Sequence, residues 1–172
     1  MKPCFFCEMK IIKATEQDIP DIRNIAEKSW KAHYPGIISD AQIEYMLQKM
    51  YSEEELKRHF QMENFQYYFM GDDEGNRLGI MGFELHYDPF TTKFHRLYLL
   101  KECTGKGYGK AALDFLKQIA SQSDDKRIIL TVNKQNTAKF FYETQGFKVY
   151  DEAVFNIGNG YVMDDFLMEF LL

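Results

Sequence analysis

The chain has no apolar run long enough to span a membrane, and its first residues carry no secretory pattern of a charged segment followed by a short apolar one. A cytoplasmic protein is expected. It is poor in cysteine, with three (Cys4, Cys7 and Cys103), so the cysteines cannot all pair. Cys4 and Cys7 form one C-x-x-C with no second pair to complete a zinc site, and no two of the four histidines (His33, His59, His86, His95) fall at ligand spacing. No metal is expected, and the thiols are read as reduced. Basic residues are not in excess: 21 Lys and Arg stand against 26 Asp and Glu, a formal charge of −5. Such a surface does not draw in nucleic acid, although it tolerates cationic small molecules. Internal repeats, low-complexity tracts and linkers are also missing.

What is present is a globular composition. At 172 residues, 45% hydrophobic and 16% aromatic, the chain is long enough for one full core and too short for two ordinary domains. Residues 1–8 are expected to be an appendage, with Met9 an alternative start, and 9–172 to be one domain. A strand is expected over 8–14, then a T-x-x-D cap (Thr15, Asp18) leading into a helix whose apolar face is Ile19, Ile22, Ile25, Ala26 and Trp30. Tyr34-Pro35-Gly36 ends it. Helices follow over 39–50 and 52–62, then strands over 65–70 and 78–87 as a hairpin, and a strand over 93–100. A helix over 108–121, a strand over 127–132, a helix over 136–145 and strands over 147–155 and 161–170 complete the chain. The order is mixed α/β with a mostly antiparallel central sheet, and lacks the regular alternation of a doubly wound fold.

The informative stretch is Thr104-Gly105-Lys106-Gly107-Tyr108-Gly109-Lys110, between the apolar run Leu97-Tyr98-Leu99-Leu100 and a helix with Ala112, Leu113, Leu116, Ile119 and Ala120 at helical spacing. Glycines at a strand-to-helix junction let a ligand approach the main chain. The first amides of a helix lack internal partners and lie at its positive end, so the loop suits a phosphate or pyrophosphate. A dinucleotide fingerprint would need glycine where Lys110 stands, and a P-loop would need Ser or Thr after Gly105-Lys106.

The loop resembles the acyl-CoA pyrophosphate loop of the GNAT N-acetyltransferases, with Gly107-Tyr108-Gly109 in the glycine part and Thr104 where Gln or Arg is usual. A second segment, Asn136-Thr137-Ala138-Lys139-Phe140-Phe141-Tyr142-Glu143-Thr144-Gln145-Gly146-Phe147, is similar to the family's Asn…Ala…Phe-Tyr-x-x-x-Gly-Phe helix and strand start. The resemblance covers about residues 10–170 and implies the GNAT acyl-CoA N-acyltransferase fold, with acetyl-CoA as donor. It implies that Leu97, Tyr98, Leu99, Thr104, Gly105, Lys106, Gly107, Tyr108, Gly109 and Lys110 bind it, that the Leu99 amide holds the oxyanion, and that Asn136 (or Asn133) meets the pantetheine arm. It makes Tyr142 the acid for the leaving thiolate. The end of the chain, Asn156 to Met168, is similar to bacterial spermine/spermidine acetyltransferases.

Acetyl transfer to an amine requires a polarised thioester carbonyl, a neutral amine and a protonated leaving thiolate. An alkylammonium has a pKa near about 10, so a base must take its proton. His95 is the side chain chosen, sharing one face of its strand with Lys93, Leu97 and Leu99 by the period-two rule, and Glu84 is its rival. Cys103 has no feature of an activated thiolate. The expected reaction is direct transfer from acetyl-CoA to a primary amine of a small molecule, with polyamines in view. A peptide N-terminal amine is the alternative acceptor, and a non-catalytic acyl-CoA-binding module the alternative role. Glu53-Glu54-Glu55 reads as a solvated helix face, and the final strand could support a homodimer.

Overall fold

A computed structural model of the chain describes residues 9–172; the expected appendage, with Cys4 and Cys7, lies outside the described residues. The elements follow the expected order: β1 (Lys10–Lys13), α1 (Ile19–His33), α2 (Asp40–Met50), α3 (Glu53–Gln61), β2 (Phe65–Gly71), β3 (Arg77–Asp88), β4 (Thr91–Leu99), α4 (Tyr108–Gln122), β5 (Arg127–Asn133), α5 (Ala138–Thr144), β6 (Lys148–Gly158) and β7 (Tyr161–Leu171). Local chemistry sets the boundaries. The Thr15 amide and hydroxyl both donate to Asp18 Oδ2 at 2.8 Å, but this box caps a short 3-10 turn over Glu16–Asp18, and α1 begins one residue later with Pro20 in its first turn. Ser39 and Ser52 cap α2 and α3, each accepting an amide three residues on at 3.1 Å. The final hairpin turns on Asn159 and Gly160, both at positive φ, as a two-residue loop requires.

The seven strands form one sheet in the order β1-β2-β3-β4-β5-β7-β6, antiparallel everywhere except between β4 and β5. Alternation along the strands divides the core. Phe65, Tyr67 and Phe69 of β2 face α1–α3 with Ile22, Trp30 and Leu56, while Met70 and Met81 face α4 and α5 with Ala112, Leu113 and Leu116. Of the helix face expected over 112–120, Ile119 is only partly buried; the other four residues are fully enclosed.

One irregularity matters more than the rest. Phe83 opposes Phe94 and Gly82 opposes Arg96, so His95 is an extra residue, a β-bulge, in β4. Alternation restarts behind it. Phe94, Leu97 and Leu99 pack toward α4, whereas His95 stacks on Phe65 (4.9 Å between ring centres) on the α1–α3 side. The expectation that His95 shares a face with Leu97 and Leu99 is therefore overturned: one inserted residue switches the side of everything after it. Pairing of β4 with β5 covers only Thr91–Lys93, and the strands part where the bulge begins.

Arg96, next to the bulge, is buried. It donates to the Tyr67 hydroxyl and to the Met50 carbonyl (3.5 Å), with its guanidinium 4.9 Å from the Tyr51 ring centre. His59 shares the Tyr67 hydroxyl (2.9 Å), and burial, helped by the Arg96 charge, holds its pKa down at about 4. The unfolded chain thus takes up this proton below about 6.5 while the native state resists it, so this histidine contributes stability that is lost as pH falls from about 6.5 through about 4. Melting temperatures of wild type and His59→Gln from pH 7 to 4 check this: the wild type should fall more steeply, and parallel curves would contradict it.

Candidate active site

Where β4 and β5 diverge, a cleft of about 850 Å³ opens, floored by the end of β4 and bounded by the 104–110 loop, α5, the end of α1 and the β6–β7 hairpin. The hairpin reaches it because its 11-residue strands lie on α2. Gln42 Nε2 donates to the Val162 carbonyl (2.9 Å), and the Tyr45 hydroxyl to that of Ile157 (2.9 Å).

At one end of the cleft lies the glycine loop, and its three glycines do different work. Gly105 and Gly107 have φ of 72° and 79°, which side-chain-bearing residues rarely adopt, and no atom of the described residues lies within 4 Å of where a Cβ would stand. Gly109 instead lets α4 approach α5: its Cβ would meet the Phe141 ring at 2.9 Å. The first helical bond of α4 runs from the Ala111 amide to the Gly107 carbonyl (3.0 Å), so Gly109 and Lys110 begin the helix with amides that have no acceptor inside it. Every expected loop residue lines the cleft except Lys106, which is exposed and turns its amide to the Cys103 carbonyl (3.2 Å).

The floor follows from strand alternation. The Leu100 amide donates to the Leu78 carbonyl of β3 (2.8 Å). Hydrogen-bonded and outward-facing positions alternate along an antiparallel pair, so the Tyr98 amide also faces β3, and the amides of Leu97 and Leu99 face the gap beside β5. Leu97, Tyr98 and Leu99 all line the cleft, the first and last with amides turned to the gap and Tyr98 with its amide turned to β3.

Tyr142 enters from α5, held edge-on against Phe147 (5.8 Å), and burial raises its pKa well above that of an ordinary phenol. Asn136 also lines the cleft, but its Oδ1 accepts the Ala138 amide (2.9 Å) and starts α5, which explains why that helix begins two residues later than expected. Asn133 is present as well, with its Oδ1 on the Gln135 amide (3.0 Å). His95 lines the cleft, with Nε2 3.1 Å from Glu84 Oε2. A carboxylate only accepts, so this nitrogen carries the proton. Burial, with Arg96 and Lys93 nearby, pushes the pKa of His95 down to about 3, and burial raises that of Glu84. Cys103 is buried, with its thiol pushed up to about 11 by burial, as a non-nucleophile should be. Glu53 and Glu55 form ion pairs with Lys57 and Arg58 along α3, away from the cleft.

The sequence reading missed two residues here. Tyr34, read as a helix end, lines the cleft and faces Asn136, Tyr98 and Tyr142. Asp165 of β7 is 6% exposed and lines the cleft, with Oδ1 enclosed and without a hydrogen-bond partner among the described residues. It lies opposite Asn133 in the β5–β7 pairing. Burial and the adjacent Asp164 raise its pKa to about 6, partly offset by the side chains of Asn133 and Thr131. A signal was available: Asp165 stands two residues from the apolar Met163 and Leu167, on one face of its strand.

A raised carboxyl pKa costs stability above it. Below about 4 the group is protonated in both states, and the native state loses stability as pH rises through about 6. Two pKa units correspond to about 3 kcal/mol. Asp165→Asn should therefore raise the melting temperature at pH 8 relative to wild type, and the gain should vanish at pH 4. A gain equal at both values would contradict the buried charge.

With this geometry in place, comparison with known proteins is decisive. Residues 36–162 match the acetyltransferase (GNAT) domain family. The chain belongs to the GNAT acetyltransferases. It is thus an N-acetyltransferase with acetyl-CoA as donor. It is 31% identical over 160 residues to spermidine N(1)-acetyltransferase of Thermoplasma acidophilum, covering 91% of this chain and 96% of that one. The crystal structure of the PaiA N-acetyltransferase from Thermoplasma acidophilum, in complex with coenzyme A, is similar at a TM-score of 0.81 and 27% identity, covering 96% of this chain and 99% of that one. A chimera of the spermidine N-acetyltransferase SpeG from Vibrio cholerae shares the fold (TM-score 0.72, 19% identity, 95% of each chain).

Proposed function

We propose that this GNAT enzyme acetylates a primary amine of a small molecule, polyamines first among them, by direct transfer with donor and acceptor bound together. The observation that carries the reading is that one continuous cleft holds the glycine loop, the outward amides of Leu97 and Leu99, and the Tyr142 hydroxyl. Loop amides of Gly105 and of Gly107 to Lys110 would hold the donor's pyrophosphate, and the open space over Gly105 and Gly107 fits that close approach. The Leu97 and Leu99 amides polarise the thioester carbonyl. Tyr142, protonated throughout the physiological range, gives its proton to the departing sulfur. Direct transfer agrees with the inert Cys103.

The walls of the cleft include Trp30, Tyr34, Met50, Phe155 and Met163, with Asp165 among them. Aromatic and thioether walls suit the methylene chain of an alkylamine, and a carboxylate suits its charge. The 31% identity to a spermidine acetyltransferase points the same way.

CoA release from acetyl-CoA with spermidine, putrescine, phenylethylamine and short peptides tests the acceptor class. Small amines should be turned over fastest, and acetylation of peptides alone would contradict the reading. For Tyr142→Phe, acetyl-CoA should still raise the melting temperature as in wild type while kcat falls at least about tenfold. An unchanged kcat would remove Tyr142 from the reaction.

A further inference from the structure

We propose that Asp165 is the proton acceptor for the incoming ammonium and, through its charge, the residue that selects a cationic amine. This rests on the small-amine reading above and adds to it the group that neutralises the substrate.

Asp165 is the one carboxylate lining the cleft among the described residues. It is more than nine-tenths buried, has an oxygen without a partner, and pairs with no cation among the described residues. Such a group is costly to keep, and an ammonium entering the cleft would compensate it. The groups around it leave that role open. From β7 comes Asp164, which is drawn to Lys134 at 2.8 Å, and from β6 comes Glu152, bound to the same lysine at 2.7 Å. From β5 come the side chains of Asn133 and Thr131, which hydrogen-bond to Asp165, and from the end of α1 Tyr34, which lines the same cleft and whose hydroxyl is partnered by Asn136. His95 is placed differently: it is bonded to Glu84, lies beside the Arg96 cation and is too weakly basic to hold a proton near neutrality. Asp165 titrates close to neutrality, where a carboxylate can both accept and return a proton.

The protons balance. Asp165 takes one from the ammonium, and the freed lone pair forms the C–N bond as the C–S bond breaks. Tyr142 gives its proton to sulfur and regains one from nitrogen. Ammonium and thioester thereby become amide, thiol and one proton, which Asp165 releases to water.

The test is the pH dependence of kcat/KM between pH 5 and 10 for the fastest amine among spermidine, putrescine and phenylethylamine. Wild type should rise through about 6 and stay level toward about 9, because the enzyme itself deprotonates a bound ammonium. Asp165→Asn should lose about a hundredfold at pH 7 and climb about tenfold per pH unit toward the amine's own pKa near about 10, since it can use only free amine. A level profile in Asp165→Asn would overturn the proposal. Acetyl-CoA should raise the melting temperature of both proteins equally, which separates loss of this role from failure of the donor site. If no amine is turned over, the small-amine reading fails, and the proposal is still decided by carboxyl 13C NMR of wild type, with Asp165→Asn assigning the signal. A midpoint near about 6 that spermidine shifts downward supports it; an ordinary midpoint, or one that spermidine does not move, overturns it.

Discussion

Between Phe94 and Arg96 the fourth strand carries one residue more than its neighbour, and that extra residue, His95, opens the molecule. A bulge bends its strand and increases local twist. Here it coincides with the point where β4 leaves β5 after three paired residues. The sheet is split only beyond that point, so the gap lies at the carboxyl end of the parallel pair, where the chain turns into the glycine loop and α4. The same residue reverses alternation, sending Leu97 and Leu99 toward the α4 core while their amides face the gap. The cleft, its main-chain donors and the approach of the loop are consequences of one inserted residue.

The cleft is also where the molecule keeps charge that it does not neutralise. Among the described residues, Arg96 is buried among aromatic rings without a paired carboxylate, and Asp165 is buried without a paired cation. Many of the other charges are exposed and paired at short range, as between Glu27 and Lys31 or Lys139 and Glu143. Surface pairs of that kind contribute little to stability, whereas a lone buried carboxylate detracts from it. Packing on both sides of the sheet has to offset that cost.

Much of this was legible in the sequence because it is local. The Thr15–Asp18 box precedes the first helix, Asn159-Gly160 closes a hairpin, and the apolar faces of α1 and α4 follow from helical spacing. The glycine loop and the Phe141-Tyr142 helix were also visible, since both motifs are contiguous, and they meet in one cleft. What was hidden depends on pairing between strands. A bulge has no signature in the strand that carries it; it exists only in register with β3, so the period-two rule misplaced His95. The direction of the Tyr98 amide was hidden for the same reason, because it is set by a partner strand. Asp165 and Tyr34 stand 131 positions apart and meet only when β7 folds back beside the end of α1.

A crystal structure of the protein with CoA tests the central claim most directly. The account predicts the pyrophosphate on the main-chain amides of Gly105 and Gly107–Lys110, the pantetheine arm along Leu97–Leu99 in the gap between β4 and β5, and the thiol beside the Tyr142 hydroxyl. A diphosphate held elsewhere, or a thiol pointing away from Tyr142, would contradict it.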